Sequence, residues 1–242
     1  MLSITAKNTI EVYGGEKLWQ NSKYIEAEVS VKGLAFTLKR RPFFKHAKIQ
    51  MEIGRPFSRI TPIGKDKTIS GILEGNDVRL EDVNRTIIAE RKNAREFFSF
   101  GRRLFYWDDL DMAYFANYAF WNYFTLPSLL MNNEIDWKEK TEGLLEATFP
   151  KSMPTHNKIQ EFHFDKRTGL LIQHNYTAEV MSKLAKAANV MVEHSEQDGI
   201  LFPSSRRVTP RTKKGKPLNK PVLIDIQVHN FKLLKDEISK AR

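Results

Sequence analysis

Three aspartates within four positions, Asp108, Asp109 and Asp111, open the most aromatic stretch of the chain. Carboxylates at that spacing can ligate Mg²⁺, and the aromatic residues that follow would suit a prenyl chain beside the ion. The same residues fit a plainer role. Asp108 can be a helix N-cap, with Asp109 and Asp111 in an acidic first turn facing the positive end of the helix dipole. Capping explains all three with fewer assumptions, so no metal site is expected. Of the six histidines, His163, His174, His194 and His229 fall on predicted strands. His163 and His174 flank one hairpin with Asp165 between them, and they would form a metal or acid–base site only if the register brought them together. There is no His-Glu-x-x-His, and phosphate-loop, dinucleotide and nucleophile-elbow patterns are absent. No catalytic residue and no cofactor is assigned.

Arg91, Arg95, Arg102 and Arg103 lead into the aromatic run. Guanidinium forks suit carboxylate and phosphate, so these arginines can clamp an anionic head group at the mouth of an apolar cavity. Alternatively they pair with Asp108, Asp109, Asp111 or neighbouring glutamates. The candidate ligand-contacting set is Tyr106, Trp107, Tyr114, Phe115, Tyr118, Trp121 and Phe124, with Arg95, Arg102 and Arg103 at the head-group end. Aromatics beside arginines also stack the bases of single-stranded nucleic acid. Such platforms are usually a few exposed rings on a sheet, which disfavours that partner here.

These side chains need an element to carry them. The spacing predicts a helix from Asp109 to Phe124, followed by Pro127. Its apolar residues run all the way round, as in a helix that is buried in protein or spans a membrane. At about 16 residues and roughly 24 Å it is shorter than the about 20 residues a span needs. It is therefore core, or the wall of an apolar cavity.

A net charge of +10 favours acidic partners, among them an anionic membrane surface. Six basic residues crowd into Arg206 to Lys216, a run that also holds Pro210 and Gly215 and reads as a mobile loop between strands. With no cysteine, disulfides and thiol chemistry are excluded. The opening residues lack a basic segment followed by an apolar run, so the expected location is cytoplasmic.

Around the aromatic helix the period is that of strands. Ile4 to Tyr13 predicts a short helix stopped by Gly14-Gly15. Ile25, Ala27, Val29 and Val31 then alternate with polar residues. At Gly33 the phase shifts to Leu34, Phe36 and Leu38, which predicts a bulge or tight bend within continuing strand. Further strands are expected at Ala47–Ile53, in a hairpin over Ile69–Leu80 turning at Gly75-Asn76, and at Thr86–Glu90. Beyond the helix they are expected at Gly143–Phe149, Ile159–Phe164, Leu170–Val180, Ala188–His194, Ile200–Val208 and Val222–Phe231. The total is about nine to eleven, enough for one antiparallel sheet that must curl. A single domain over residues 1–242 follows.

The opening Glu11-Val12-Tyr13-Gly14-Gly15-Glu16-Lys17-Leu18-Trp19, running into the strand from Tyr24 to Gly33, resembles a bacterial group related to outer-membrane lipoprotein carriers, the LolA/LolB-like superfamily. The hairpin Phe162 to Tyr176, with its Phe-Asp-Lys-Arg-Thr-Gly-Leu-Leu core, is similar to a late hairpin of that fold. The resemblance implies an unclosed barrel whose concave, apolar face is covered by helices and binds acyl chains or other lipid-like ligands. This chain departs from the carriers in showing no export signal.

Together these readings predict a mainly β (α+β) protein: one large curved antiparallel sheet, an unclosed barrel, wrapped around a central aromatic helix, with a short N-terminal helix. The expected function is non-catalytic binding of a hydrophobic small molecule or lipid, by a carrier or sensor. An enzyme acting on a hydrophobic substrate in the same cavity, through the strand histidines and arginines, is the alternative. A nucleic-acid binder using the 206–216 loop ranks below both.

Overall fold

Alternation builds the first strand, β1 (Tyr24–Lys32), which buries Ile25, Ala27, Val29 and Val31 and leaves Glu26, Glu28 and Ser30 partly exposed. Before it come two short helices, α1 (Ile4–Val12) and α2 (Glu16–Asn21), separated by Gly14 and Gly15, both at positive φ. The computed structural model describes residues 2–98 and 105–235.

After β1 the chain forms α3 (Leu34–Leu38), β2 (Phe44–Glu52), β3 (Phe57–Thr61), β4 (Ser70–Glu74), β5 (Asp77–Glu81), β6 (Ile87–Arg91) and a 3-10 turn at Ala94–Phe97. Two helices follow, α4 (Asp109–Phe124) and α5 (Leu126–Leu130). The second run of strands is β7 (Asp136–Thr141), β8 (Leu144–Thr148), β9 (Ile159–Phe164), β10 (Leu171–Thr177), β11 (Lys186–Gln197), β12 (Ile200–Pro210) and β13 (Ile224–Leu234). All pair as antiparallel neighbours in chain order within each run, and β13 pairs with β1 to join the runs. Among the described residues the result is one sheet of 13 strands, with β6 and β7 at its two ends. It is an unclosed barrel.

Helix α4 is the axis of this sheet. Asn117 Nδ2 donates to the Gly71 carbonyl on β4, while the Phe124 ring meets Phe231 on β13 at 5.6 Å. Both runs of strands therefore hold the same helix. Gly71 permits the approach, since a Cβ there would lie 2.7 Å from the Ala113 methyl. From Asp111 to Phe124 every residue of α4 is buried. Each large apolar side chain so buried contributes about 1.5–3 kcal/mol relative to exposure, and this term makes an all-round apolar helix stable here.

Three expectations need correction. Gly33 does not bulge a continuing strand. It ends β1 at φ 141°, where a Cβ would collide with the Leu223 carbonyl, and the one-turn helix α3 follows. Leu34, Phe36 and Leu38 match a period of two over five residues, too short a run to separate strand from helix; only Phe36 is buried. The strand count is 13 because β3 and β7 were not foreseen. Finally, the basic run is not one loop: Arg206 to Pro210 belong to β12, and the turn is confined to the residues around Lys213-Lys214.

Candidate functional site

The acidic start of α4 is a structural joint. Asp108 accepts from the Asp111 backbone N–H at 2.8 Å, and the Asp111 carboxylate reaches back to the Asp108 N–H at 3.2 Å, a reciprocal capping box. Arg91 on β6 spans the pair, 2.7 Å from Asp111 and 2.7 Å from Asp108. Arg41 binds Asp109. Among the described residues no group of three or more His, Asp or Glu side chains is placed to hold a metal ion.

Arg95 faces inward to the protein, donating to the Thr155 carbonyl at 2.6 Å and the His156 carbonyl at 3.1 Å, and it pairs with Glu179 at 2.8 Å. Arg102 and Arg103 lie outside the described residues. Tyr106 is half exposed. Trp107, Tyr114, Tyr118 and Trp121 are fully buried, and Trp121 donates its indole N–H to the Glu52 carbonyl at 2.8 Å. Of the aromatic set, Phe115 lines an apolar cleft, and Phe124 lines a water-sized cavity near the helix C-terminus.

The strand histidines do not converge. His163 pairs across from Gln173 while His174 pairs across from Phe162, so the two rings project to opposite faces of the sheet. His174 stacks on Phe162 and hydrogen-bonds Gln160. Asp165 stays in an exposed turn, accepting from the backbone of Thr168 and Arg167. His194 bonds the Tyr13 hydroxyl at 2.9 Å.

The histidine at the centre is one that sequence reasoning passed over. His156, in the proline-marked loop before β9, is completely buried. It bonds the Tyr118 hydroxyl through Nδ1 at 3.2 Å and the Tyr123 hydroxyl through Nε2 at 2.9 Å, and its ring stacks on Tyr176. The Tyr123 and Tyr176 hydroxyls meet at 2.8 Å. Burial, and secondarily the positive charge of Arg95, pushes the His156 pKa down to about 3, and burial pushes Tyr123 up to about 12. Every member is neutral at pH 7. The network anchors the 150–156 loop to α4; no sequence signal marks it, because one histidine in a loop has no pattern.

The apolar cleft has a volume of about 200 Å³. Its walls include Leu38 of α3, Phe115 of α4, Tyr176 of β10, Ala187 of β11, Val208 of β12 and Ile224 of β13. Lys39 is the charged residue among those lining it; its ammonium lies 5.1 Å from the Trp107 ring, and burial lowers its pKa while Asp111 acts to raise it.

Two residues before Val208 on the same strand is Arg206, 1% exposed. Its guanidinium lies over the Tyr123 ring at 5.2 Å and near Phe124 at 5.8 Å, and Nη2 donates to the Tyr123 carbonyl at 3.2 Å in the last turn of α4. Nε and Nη1 have no hydrogen-bond partner. Among the described residues no carboxylate pairs with it; the groups that favour its charge are Tyr13, Tyr123 and Tyr176. Burial brings its pKa down to about 10, so it remains a cation at neutral pH. The cavity against it, walled by Tyr13, Trp19, Phe124 and Phe202 among others, measures about 20 Å³.

No family model and no curated protein matches the chain. Among solved structures, it is similar to a LolA superfamily protein from Nitrosomonas europaea, with a TM-score of 0.51 at 8% identity over 99% of this chain and 96% of that one. A DUF1329 family protein from Desulfovibrio piger overlays with a TM-score of 0.47 at 14% identity, covering 96% and 94%. The first of these establishes the LolA-like fold for this chain. Among the described residues no helix is long and apolar enough to cross a membrane.

Proposed function

We propose that the protein is a non-catalytic carrier or sensor that binds an apolar chain on the inner face of its sheet. The observation that carries this reading is the cleft of about 200 Å³ between α3, α4 and β10–β13, whose lining is almost wholly hydrocarbon and aromatic. Ligand sites are concave and mostly apolar, and this cleft combines both properties beside a buried aromatic helix. The LolA-like fold supports the same reading, because a sheet that curls without closing presents such a face. The dispersal of His163, His174, Asp165 and Arg95 weighs against the enzyme alternative.

Organic extraction of the purified protein followed by mass spectrometry is expected to release a fatty acid, isoprenoid or phospholipid. A fluorescent fatty acid is expected to bind the wild type, and Ala187→Phe, which fills the cleft wall, to weaken that binding at least tenfold. Clean extracts together with no binding of the probe would remove the proposal.

A further inference from the structure

We infer that the bound molecule is a single-chain amphiphile with an anionic head, its carboxylate or phosphate held by Arg206 and its chain lying in the cleft beside Val208. This rests on the apolar-chain reading above and adds the chemistry of the ligand's other end.

A guanidinium excluded from water normally has a carboxylate partner and a full set of acceptors, because an uncompensated buried charge is costly. Arg206 has neither: one of its three nitrogens reaches an acceptor, the Tyr123 carbonyl, and the other two reach none. The negative end of the α4 dipole and the faces of two aromatic rings offset part of the cost. They supply no anion. Asn189 reinforces the pattern. It is completely buried on β11, directly across from Val208, and its amide lies beside the Tyr123 hydroxyl without a hydrogen bond of ordinary geometry on either its N or its O. A guanidinium with two nitrogens lacking an acceptor and a buried amide that interacts with the Tyr123 hydroxyl thus sit on one face of two adjacent strands.

Their position relative to the cleft gives the ligand its orientation. Arg206 and Val208 are two residues apart on β12 and so share a face, separated by roughly 7 Å. Val208 lines the cleft, and Tyr176, another cleft residue, bonds the tyrosine over which the guanidinium lies. The cleft and the cavity at the guanidinium share no lining residue, and the hydrogen-bonded Tyr123–Tyr176 pair stands between them, so a head group reaches Arg206 by parting these two hydroxyls. The cavity of about 20 Å³ at the guanidinium is the size of a single water site, so the head group enters by easing the ring walls apart. Guanidinium forks bind carboxylate and phosphate alike, so the two heads share this chemistry.

Equilibrium dialysis with decanoate, decyl phosphate and decanol tests the assignment. Wild-type protein is expected to bind at least one of the two anions at least tenfold more tightly than decanol, and the tighter anion identifies the head group. Arg206→Met is expected to bring all three within about twofold of one another, while Lys39→Met, which alters the cation lining the cleft, keeps the preference. Equal binding of all three by the wild type overturns the head-group assignment, and requires no variant to fold. So does a preference that survives in Arg206→Met or vanishes in Lys39→Met. In each of those cases decanol binding still upholds the apolar cleft; failure of all three ligands to bind overturns both readings.

Discussion

The two ends of α4 hold buried arginines in opposite ways. At the N-terminus Arg91 lies between Asp108 and Asp111, both its terminal nitrogens are used, and the carboxylates also cap the helix. At the C-terminus Arg206 is more deeply buried, yet among the described residues one carbonyl is its whole hydrogen-bonded company. Charge at the first end is part of the fold: remove one member and the others are stranded. At the second end the fold bears a cation it does not neutralise, so stability and ligand binding need not run together there.

The largest effect should come from Asp111→Ala. It removes a fully buried carboxylate, breaks the capping box and strands Arg91, for a loss of about 3–5 kcal/mol in chemical denaturation. A loss below about 1 kcal/mol would mean the N-terminal pole is no tighter than the C-terminal one. A pH-dependent loss follows from His156 in the middle of the helix. Its pKa is about 3 in the fold against 6.5 when exposed, so between those values the unfolded chain takes up a proton that the folded protein refuses. Stability therefore falls as pH drops from 6.5 towards 3, by a few kcal/mol. His156→Gln should make that part of the profile shallower, the remaining slope coming from His174 and His194, which burial also holds below the usual range, and an unchanged slope would contradict the assignment. Gly71→Ala, pressing a methyl against Ala113, should cost about 1–3 kcal/mol by overpacking, read as a lower denaturation midpoint. Arg206→Met stands at the other extreme. In ligand-free protein it should be neutral or stabilising by about 1 kcal/mol, since it replaces an uncompensated buried charge by a side chain of similar length.

The same contrast governs what could be read in the sequence. Both boundaries of α4 and its Asp108 cap were legible, because capping chemistry and all-round apolar character are local properties. The hairpin at Gly75-Asn76 and strand Ile159–Phe164 were legible for the same reason. Strand β7, Asp-Trp-Lys-Glu-Lys-Thr, was missed because it is an edge strand with almost no buried face; pairing with β8 defines it, and pairing is not local. Arg206 fell both within the predicted strand Ile200–Val208, which β12 bears out, and in a basic run read as a loop. Residue type cannot distinguish a solvated arginine from a buried one. The signal available was weak: Val208 and Arg206 keep the period of two that extends β12 past its apolar part. His156, isolated in a loop, offered no periodicity to read.

The central claim is that the inner face binds an apolar chain and that the missing partner of Arg206 belongs to that ligand. It is tested most directly by urea denaturation of wild type and Arg206→Met, each with and without saturating decanoate. Binding to the folded state alone stabilises it in proportion to the logarithm of ligand concentration over Kd. The account predicts that decanoate raises the wild-type midpoint clearly more than that of Arg206→Met, while the ligand-free variant is at least as stable as wild type. A variant that is less stable without ligand and equally stabilised by decanoate would contradict it.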